Sequence, residues 1–589
     1  DVAVVDRTHS WTYGELDRKS DHVAMHLMEQ CGGGPQQKIA VSLPRDANLI
    51  AICIGILKAG FTYVPIDYGY PEARKKNIVK DSQSSLFINL EQMGRYFDFP
   101  KIRSELPKIE PNSVAYIVYT SGSTGKPKGV EITHGALVYS ILNHCRIFEM
   151  GPRNKLTQFF SCSFDASILE ICLGLSTGST LYMVDEPLKE NPELFEQFVA
   201  INEVDTIILP PAYLKLIRLN RLTSVNKLIT GGEEIDFQEA RAFADRGNYY
   251  NSYGPSECTI AVSGYRMTDR DISDHVPIGQ PIEGSKIVIV DSDLHICPRG
   301  FVGEMLIAGP GLSKGYVNDS RLTGEKFIRP SFSTEEIYYR SGDLGKWDDS
   351  GNLVFCGRLD HQVKINGHRV ELKEIEKILV ANPQVRGARV LKIKDDSGIA
   401  GLVAFFLGKK EDGPKVKTYL SRELPRFMLP SHLIALDRFP LNNNGKIDDK
   451  SLRDKALRQK GPDRRNIDPR NEVENKLCQL WKDVLNSEKI SVTDSFFDLG
   501  GNSILAIKLV NKINDRLKCN IKINDLYNYA SIEDLCLLIK GESESHESQI
   551  LEYNRSEYPI KPMTRTGSTP IHKRPFDKVL ITGATGFVG

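Results

Sequence analysis

Residues 120–129 combine the side chains that hold phosphate groups in proteins. They read Thr-Ser-Gly-Ser-Thr-Gly-Lys-Pro-Lys-Gly and follow the apolar stretch 116–119, which predicts a strand running into a glycine-rich loop. Glycines let backbone N–H groups approach an anion, while hydroxyl and ammonium groups add donors and positive charge. Because Pro127 follows Lys126, the loop does not match GxxxxGK[ST], which disfavours a P-loop kinase or ATPase. We therefore predict phosphate contacts rather than a plain surface hairpin, from Thr120, Ser121, Gly122, Ser123, Thr124, Gly125 and Lys126.

Charged residues with distinctive neighbours occur further along the chain. Glu257 follows a Tyr-Gly-Pro-Ser turn, Lys446 follows Asn-Gly, and Asp165 precedes an apolar helical pattern. Each type of residue also has an ordinary structural explanation: a helix cap for Asp165, a surface ion pair for Asp343 with Arg358, and a solvated loop for Lys446. Spacing alone leaves these alternatives open.

The elements that would position these residues alternate between strand and helix patterns over residues 1–358. This alternation predicts α/β layering, with strands at 38–42, 113–119, 206–209 and 227–229 and a buried helix at 48–58. A smaller unit, 359–455, follows, with predicted helices at 373–381 and 415–424 and strands at 388–392 and 402–406.

The rest of the chain divides into linkers and a helical unit. Residues 456–470 are polar and contain prolines, which predicts a linker. Residues 471–541 carry helical patterns at 472–484, 503–517 and 532–540, which predict a compact bundle. A second linker at 542–575 is rich in Ser, Glu, Thr and Pro, and an apolar strand with a glycine turn occupies 576–589.

Composition narrows the class of protein. The 589 residues exceed what one hydrophobic core organises. Lys plus Arg and Asp plus Glu number 76 each, which gives no reason to expect a nucleic-acid or membrane partner. The 11 cysteines are scattered without zinc spacing, and no segment resembles a signal peptide or a membrane span. We therefore expect a multidomain cytoplasmic protein, and we interpret both ends as internal to a longer one.

Taken together and in order, the motifs resemble those of adenylate-forming enzymes, the superfamily that includes acyl-CoA ligases, luciferases and nonribosomal adenylation domains. The phosphate loop has companions that resemble the amino-acid-activating branch and cover nearly all of residues 1–455: 57–67, 251–257, 303–318, 339–344, 357–376 and 440–446. The resemblance implies an α/β multidomain fold, in which a large adenylate-forming body precedes a small α+β lid domain and a four-helix carrier bundle.

The resemblance also implies roles around ATP. Lys446 becomes the main catalytic cation, and Lys364 lies in the segment 364–369 that faces the site during thioester formation. Glu257 becomes a Mg²⁺ ligand, and Asp360 the hinge about which the small domain turns. The remaining nucleotide contacts are Asn251, Tyr253 against adenine, Asp343 on the ribose hydroxyls and Arg358 beside the ribose.

Phe164-Asp165-Ala166-Ser167 resembles the motif whose aspartate holds the α-ammonium of an amino acid. An unpaired buried carboxylate is costly unless a cation arrives, so Asp165 favours an α-amino acid over other carboxylic acids. By resemblance Lys446 also contacts the substrate, and the pocket wall comprises Ala166, Leu169, Ile208, Ile229, Gly231, Ser252, Ile260 and Ala261. This wall carries no charge, which predicts an apolar side chain. Gly231 and Ala261 are expected to leave room for an aromatic or large aliphatic one.

Residues 494–504 resemble the carrier-domain signature, with Ser503 at the start of a helix as the attachment point for 4′-phosphopantetheine. A simple serine helix cap is the alternative. Asn502 replaces the His or Asp common in the family. This reading implies a phosphopantetheinyl transferase as a partner.

The strand and TGxxGxxG turn at 578–589 resemble the opening of an NADP-dependent reductase. We therefore expect condensation and reductase domains as neighbours, NADPH only in the full-length protein, and reductive release of the product. Two alternatives stay open, a stand-alone carboxylic acid reductase that activates another acid and a carrier scaffold whose adenylation site has decayed.

Overall fold

The computed structural model describes most of the chain. Ser123 to Lys126, Asp360, Lys446, Asn502 and the segment 576–589 lie outside the described residues. In the part of the chain that the structure describes, no helix is both long and apolar enough to cross a bilayer. The described residues are 1–32, 37–97, 105–122, 127–268, 275–359, 362–365, 368–394, 400–440, 447–458, 467–485, 487, 490–497, 499, 501, 503–519 and 521–545.

A nine-stranded sheet forms the largest part of the body. Its middle strands pair in parallel, with Thr206–Leu209 between Lys155–Gln158 and Lys227–Gly231. Parallel strands buried on both faces read as continuous apolar runs, which is why the strands at 206–209 and 227–229 could be recognised in the sequence. The strand order is Gln280–Pro281, Ser263–Arg266, Asn248–Tyr253, Lys227–Gly231, Thr206–Leu209, Lys155–Gln158, Thr180–Met183, Val2–Val5 and Ser10–Thr12.

Two five-stranded sheets complete the body. One has the order Leu86–Ile88, Lys38–Val41, Thr62–Pro65, Val114–Thr120 and Lys128–Thr133, and its last two strands flank the phosphate loop. The other comprises Lys286–Val290, Gly303–Ala308, Tyr338–Trp347, Phe327–Ile328 and Leu353–Arg358.

Helices cover these sheets. The first helix, Tyr13–Cys31, begins with a capping box in which Thr12 and Glu15 each accept a hydrogen bond from the other's backbone N–H. The other helices of the body are Ala47–Lys58, Glu72–Ser82, Leu90–Met93, His134–Ile147, Asp165–Ser176, Glu186–Glu190, Pro192–Ile201, Pro211–Leu214, Phe237–Ala244 and Ser320–Lys326, with 3₁₀ turns at Gly94–Tyr96, Leu219–Arg221 and Ser256–Cys258.

The small domain is α+β. A two-stranded hairpin, Gln362–Ile365 with His368–Glu371, leads into the helix Leu372–Ala381. A separate sheet pairs Ala388–Lys394, Ala400–Leu407 and His432–Leu436. The remaining helices are Gly413–Glu423 and Asp449–Arg458, with 3₁₀ turns at Lys410–Asp412 and Arg426–Met428.

The carrier unit is a helical bundle with its own core around Trp481 and Phe496. The fourth helix, which the sequence patterns did not locate, is a short one between the second and last, and it spans Ile523–Asn528. The expected fold class, an α/β body followed by a small α+β domain and a four-helix unit, is therefore confirmed. The helices are Glu472–Leu485, Ser503–Leu517, Ile523–Asn528 and Ile532–Ser545.

The packing of Gly501 yields a test of the carrier core. A Cβ at this position would overlap the Phe496 ring and lie 2.6 Å from the Phe496 carbonyl oxygen. We expect Gly501→Ala to destabilise the bundle by about 1–3 kcal/mol, since overpacking strains a filled core. Hydrogen exchange of Glu472–Leu485 and Ser503–Leu517 measures the loss. Gly324→Ala, where an added Cβ meets nothing within 4 Å, is the matched control, and unchanged exchange in Gly501→Ala would contradict the packing.

Candidate active site

Glu257 is the most completely enclosed charge of the site, with no exposed surface. Its Oε1 atom accepts from Lys128 Nζ at 3.0 Å and from the Tyr316 hydroxyl at 2.7 Å, and its Oε2 accepts from Arg369 Nη1 at 2.9 Å. Burial alone would raise the pKa of Glu257, but the charges of Arg369 and Lys128 outweigh it and hold the pKa well below its ordinary value. Glu257 is therefore ionised.

The expected Mg²⁺ role of Glu257 can be tested against these contacts. An anionic carboxylate is a ligand that Mg²⁺ accepts. However, both oxygens are already engaged, and the guanidinium of Arg369 lies where a cation on Oε2 would have to be. The donor set therefore does not fit Mg²⁺ while the hairpin that carries Arg369 is docked.

The predicted ribose and adenine contacts come together at one place. The Tyr253 hydroxyl donates to Asp343 Oδ2 at 2.6 Å, and Arg358 donates to the other oxygen of Asp343. Lys364 Nζ lies 6.0 Å from the centroid of the Tyr253 ring. Burial lowers the pKa of Lys364, although the Asp343 carboxylate opposes that effect. Asn251 is buried at the same strand, where its side chain donates to the Pro277 carbonyl at 2.9 Å.

The described part of the phosphate loop holds the small domain. The Ser121 hydroxyl donates to the Arg369 carbonyl at 2.8 Å and accepts from the Glu371 N–H at 3.0 Å. The Gly122 N–H donates to Glu374 Oε2 at 3.2 Å, so a carboxylate occupies a donor that was predicted to hold phosphate. The Thr120 hydroxyl is buried and has no hydrogen-bond partner among the described residues.

A buried ion pair joins the two domains beside the loop. Arg74 Nη1 lies 3.0 Å from Glu374 Oε1, and the side chains are 5% and 1% exposed. Breaking a buried pair costs more than a surface pair does, because the remaining charge loses its compensation. This pair and the Arg369–Glu257 contact therefore hold the hairpin against the body.

Asp165 is the first residue of the helix Asp165–Ser176 and lines a cavity of about 110 Å³. Asp343, Arg358, Lys364 and Ser121 line the same cavity. Burial raises the pKa of Asp165, although the Ser256 hydroxyl and the Ala166 N–H offset part of that rise. A desolvated carboxyl beside the nucleotide residues is able to receive a ligand cation.

Part of the predicted pocket wall lies on one face of the large sheet, and none of its eight residues lines the cavity that Asp165 lines. Ile208 is paired with Ile229, and Gly231 with Ser252, on adjacent strands, which places these four positions on the same face. The apolar members share one core cluster: Leu169, Ile208, Ile229, Ile260 and Ala261. The Ser252 hydroxyl is buried without a hydrogen-bond partner among the described residues.

Gly231 does not simply leave open space. A Cβ there would lie 2.7 Å from the Ser252 carbonyl oxygen, so the strand pairing itself requires glycine at this position. Nearby, Thr259 and Ile260 have positive φ angles of 58° and 75°. Such angles are strained for β-branched residues and are held by surrounding contacts, here the Thr259 hydroxyl on the Gly311 carbonyl at 2.6 Å.

A larger cavity, of about 830 Å³, opens between the body and the other two domains. Phe164 and Lys189 contribute from the body, His368 and Arg426 from the small domain, and Ile507 from the carrier. Ser503 begins the helix that contains Ile507, one turn before it. The carrier lies against the body through Asn511 Nδ2, 3.4 Å from the Glu190 carbonyl. The predicted attachment position is thus close in the helix to a residue that lines the cavity.

Several partners of the site were not foreseen from the sequence. Sequence spacing does not predict the contacts of Lys128 and Tyr316 with Glu257, or the Arg74–Glu374 pair. In each case the two partners lie far apart along the chain. Lys128 lies within the phosphate loop and could have been proposed as a further cation. The predicted residues Tyr253, Glu257, Asp343, Arg358 and Lys364 do come together.

Comparison with known families agrees with this geometry. A family model described as "AMP-binding enzyme" matches residues 1–317, and "AMP-binding enzyme C-terminal domain" matches residues 374–446. A third, "Phosphopantetheine attachment site", matches residues 475–539. The chain belongs to the AMP-binding enzymes and is an adenylate-forming ligase that uses ATP.

Individual relatives narrow the class further. Tyrocidine synthase 1 of Brevibacillus parabrevis is 34% identical over 95% of this chain and 53% of its own length. Gramicidin S synthase 1 of Brevibacillus brevis is 33% identical over 95% and 52%. The chain thus spans about half the length of these curated relatives. It combines an AMP-binding unit with a phosphopantetheine attachment domain, and over both of them it resembles these synthases.

A solved structure shows the same arrangement of domains. The chain resembles holo-PA1221, described as an NRPS protein containing adenylation and PCP domains bound to a vinylsulfonamide inhibitor. The TM-score is 0.78, with 25% identity over 92% of this chain and 94% of that one.

The desolvated carboxyl of Asp165 predicts opposite effects of Asp165→Asn on folding and on activity. The folded state holds the Asp165 proton more tightly than the unfolded chain does, so ionisation costs stability as pH rises above the ordinary pKa. The variant should therefore unfold at an equal or higher temperature, with a difference that grows as the pH rises above about 4. Amino-acid activation should fall by about 100-fold, because the ammonium loses a charged partner.

Thermal unfolding and amino-acid-dependent ATP–pyrophosphate exchange measure the two effects. Asp349→Asn, at an exposed aspartate, is the control and should change neither quantity. A variant that unfolds at a lower temperature at pH 8 would show that Asp165 stabilises the fold and is not held ready for a ligand.

Proposed function

We propose that this chain joins an α-amino acid to AMP at the smaller cavity and then transfers it to a pantetheine thiol on its own carrier. The observation that carries the proposal is the convergence of Asp165, Asp343, Arg358 and Lys364 on one cavity. Asp165 receives the α-ammonium, Asp343 and Arg358 hold the ribose, and Tyr253 stacks on adenine. Lys446, the predicted main catalytic cation, completes the adenylation site.

The two half-reactions require two positions of the small domain. Glu374 takes the Gly122 N–H, and Arg369 takes Glu257, so the docked hairpin excludes both a phosphate at Gly122 and Mg²⁺ at Glu257. The described arrangement is therefore incompatible with bound pyrophosphate and suits the second half-reaction, thioester formation. Rotation about Asp360 would withdraw the hairpin and bring Lys446 to the site for the first.

The arm of the carrier would occupy the larger cavity. The cavity is open to the carrier at Ile507 and meets the smaller one at Phe164, which lines both. Its volume of about 830 Å³ is within the range of ligand sites, which suits an extended arm. Ser503, as the attachment residue, would be modified by a phosphopantetheinyl transferase.

The amino acid is proposed to carry an apolar side chain. Ile208, Ile229 and Leu169 carry no charge and pack in one core cluster, and among the proposed wall residues only Ser252 adds a polar side-chain atom. Because the Ser252 carbonyl already fills the space before Gly231, the case for a large side chain rests on Ala261 alone. Reductive release by a following NADPH-dependent domain, and an upstream condensation domain, remain predictions from the sequence.

ATP–pyrophosphate exchange against a panel of amino acids tests the proposed function. We expect strong exchange with one apolar amino acid, and a loss of about 100-fold or more in Lys446→Ala, because a cation aimed at the transition state is removed. Ser503→Ala should exchange normally but accept no thioester from labelled amino acid. Exchange only with acids that lack an α-amino group would favour a carboxylic acid reductase, and no exchange would favour a decayed scaffold.

Glu374→Gln tests the alternation of the small domain. The variant keeps the shape but leaves Arg74 without its buried counter-charge, so the docked arrangement should be weakened. We expect thioester loading of the holo chain to slow by about 10- to 100-fold, while ATP–pyrophosphate exchange stays within about twofold. Lys373→Gln, one residue earlier and exposed, is the control. An equal loss of both activities would contradict two separate positions.

A further inference from the structure

A thin wall separates the two cavities. Tyr70, Ser163, Phe164 and Phe427 line both of them, with the first three from the body and Phe427 from the small domain. An acyl group activated beside Asp165 and a thiol that arrives from the carrier lie on opposite sides of this wall. The thiol must therefore cross the wall at these residues to reach the acyl carbon.

His368 lies inside this wall. Its ring stacks on Phe427 with centroids 3.8 Å apart and an interplanar angle of 19°. The Phe164 ring meets it edge-on at 4.3 Å and 89°. His368 belongs to the hairpin that also carries Arg369, so the imidazole enters the wall when Arg369 contacts Glu257. Docking of the small domain thus places a titratable ring at the crossing point.

The ring nitrogens of His368 are not committed to the fold. Nδ1 is buried and has no hydrogen-bond partner among the described residues, and the side chain lines the larger cavity. Burial lowers the pKa of His368 well below its ordinary value. The charge of Lys189, in the helix Glu186–Glu190, lowers this pKa further. The imidazole is therefore neutral at neutral pH with a lone pair free, and its lowered pKa favours release of a proton to solvent once it has been taken.

Other titratable groups beside the two cavities already hold a proton or a partner. Burial raises the pKa of Tyr70 to about 12, so its hydroxyl is protonated at neutral pH, and it donates to Ser163 at 3.0 Å. The Asp165 carboxyl is assigned to the substrate ammonium in the proposed function. Other charged or titratable groups that line the larger cavity include Asp67, Cys162, Lys189 and Arg426.

We propose that His368 is the general base of thioester formation and takes the proton of the pantetheine thiol. This proposal rests on the function proposed above. The S–H bond breaks as its proton passes to a ring nitrogen of His368, and the sulfur bonds to the acyl carbon of the adenylate. The bond between that carbon and the phosphate oxygen breaks, AMP leaves with the electron pair, and the imidazolium returns its proton to solvent. Aminoacyl-AMP and a thiol thus give a thioester, AMP and one proton.

His368→Phe tests the proposal because phenylalanine keeps the ring between Phe164 and Phe427 and removes both nitrogens. In single-turnover loading of the holo chain, we expect the variant to slow by about 100-fold at neutral pH, the lower end of what general bases contribute. The wild-type rate should be flat between about pH 6.5 and pH 8. The variant rate should rise about tenfold per pH unit, since it depends on the thiolate of a thiol with a pKa of about 8.5.

Controls separate this proposal from the function on which it rests. ATP–pyrophosphate exchange should stay within about twofold in His368→Phe, which reports an intact adenylation site. A wild-type chain that exchanges but does not load would contradict the proposed transfer itself. Normal loading by His368→Phe, or a slower rate with the flat wild-type pH profile, would overturn the role of His368 and leave the transfer standing.

Discussion

The contact between Arg369 and Glu257 is the interaction on which the described arrangement depends. A fully buried carboxylate needs compensation, and Lys128 and Tyr316 provide only the part that comes from the body. The rest comes from a hairpin of another domain, at 2.9 Å. Because an uncompensated buried charge is costly, Glu257 favours any state in which a second cation reaches it. In this arrangement the cation is a guanidinium.

The same reasoning applies to the phosphate loop. Its donors attract an anion, and the carboxylate of Glu374 supplies one at Gly122 while pairing with Arg74. The hairpin and the helix after it thus bring one cation to Glu257 and one anion to Gly122. In the proposed function, competition of a metal ion and a phosphate for these two places would link the departure of pyrophosphate to the docking of the small domain. This ordering requires no contact between the domains other than those two pairs.

Much of this site could be predicted from the sequence, because each local motif combines residues with unusual requirements. Glycines, hydroxyls and lysines after an apolar strand indicated the phosphate loop, and Tyr253, Glu257, Asp343 and Arg358 were assigned by resemblance before their distances were known. The capping box at Thr12 and Glu15 is a local signal for the start of the first helix. Strands such as Thr206–Leu209 were recognisable from their short apolar runs, which the structure shows to be fully buried.

The relations between domains were not predictable in the same way. Arg74 and Glu374 are 300 positions apart, and the residues around each of them give no indication that the two side chains pair. His368 lies in the segment 364–369 that the resemblance places at the site, but its place between Phe164 and Phe427 depends on the orientation of a whole domain. The room at Gly231 was misjudged for a related reason, since the Ser252 carbonyl on the adjacent strand occupies it. Local sequence patterns predict which face of a helix or strand is buried and where a turn occurs. These contacts instead arise where separate domains or strands pack against each other.

The carrier is held against the rest of the chain by weaker kinds of contact than the hairpin is. Among the described residues, its contacts with the rest of the chain include the Asn511 amide on the Glu190 carbonyl and Lys417 over the Phe497 ring, which are polar or weakly attractive. Such contacts bind weakly by themselves, but a tether raises the effective concentration of the carrier to the millimolar range. Weak docking is then sufficient for loading and allows the carrier to leave afterwards. The chain thus places its buried charge pairs where the small domain must be held and leaves the carrier on a surface from which it can depart.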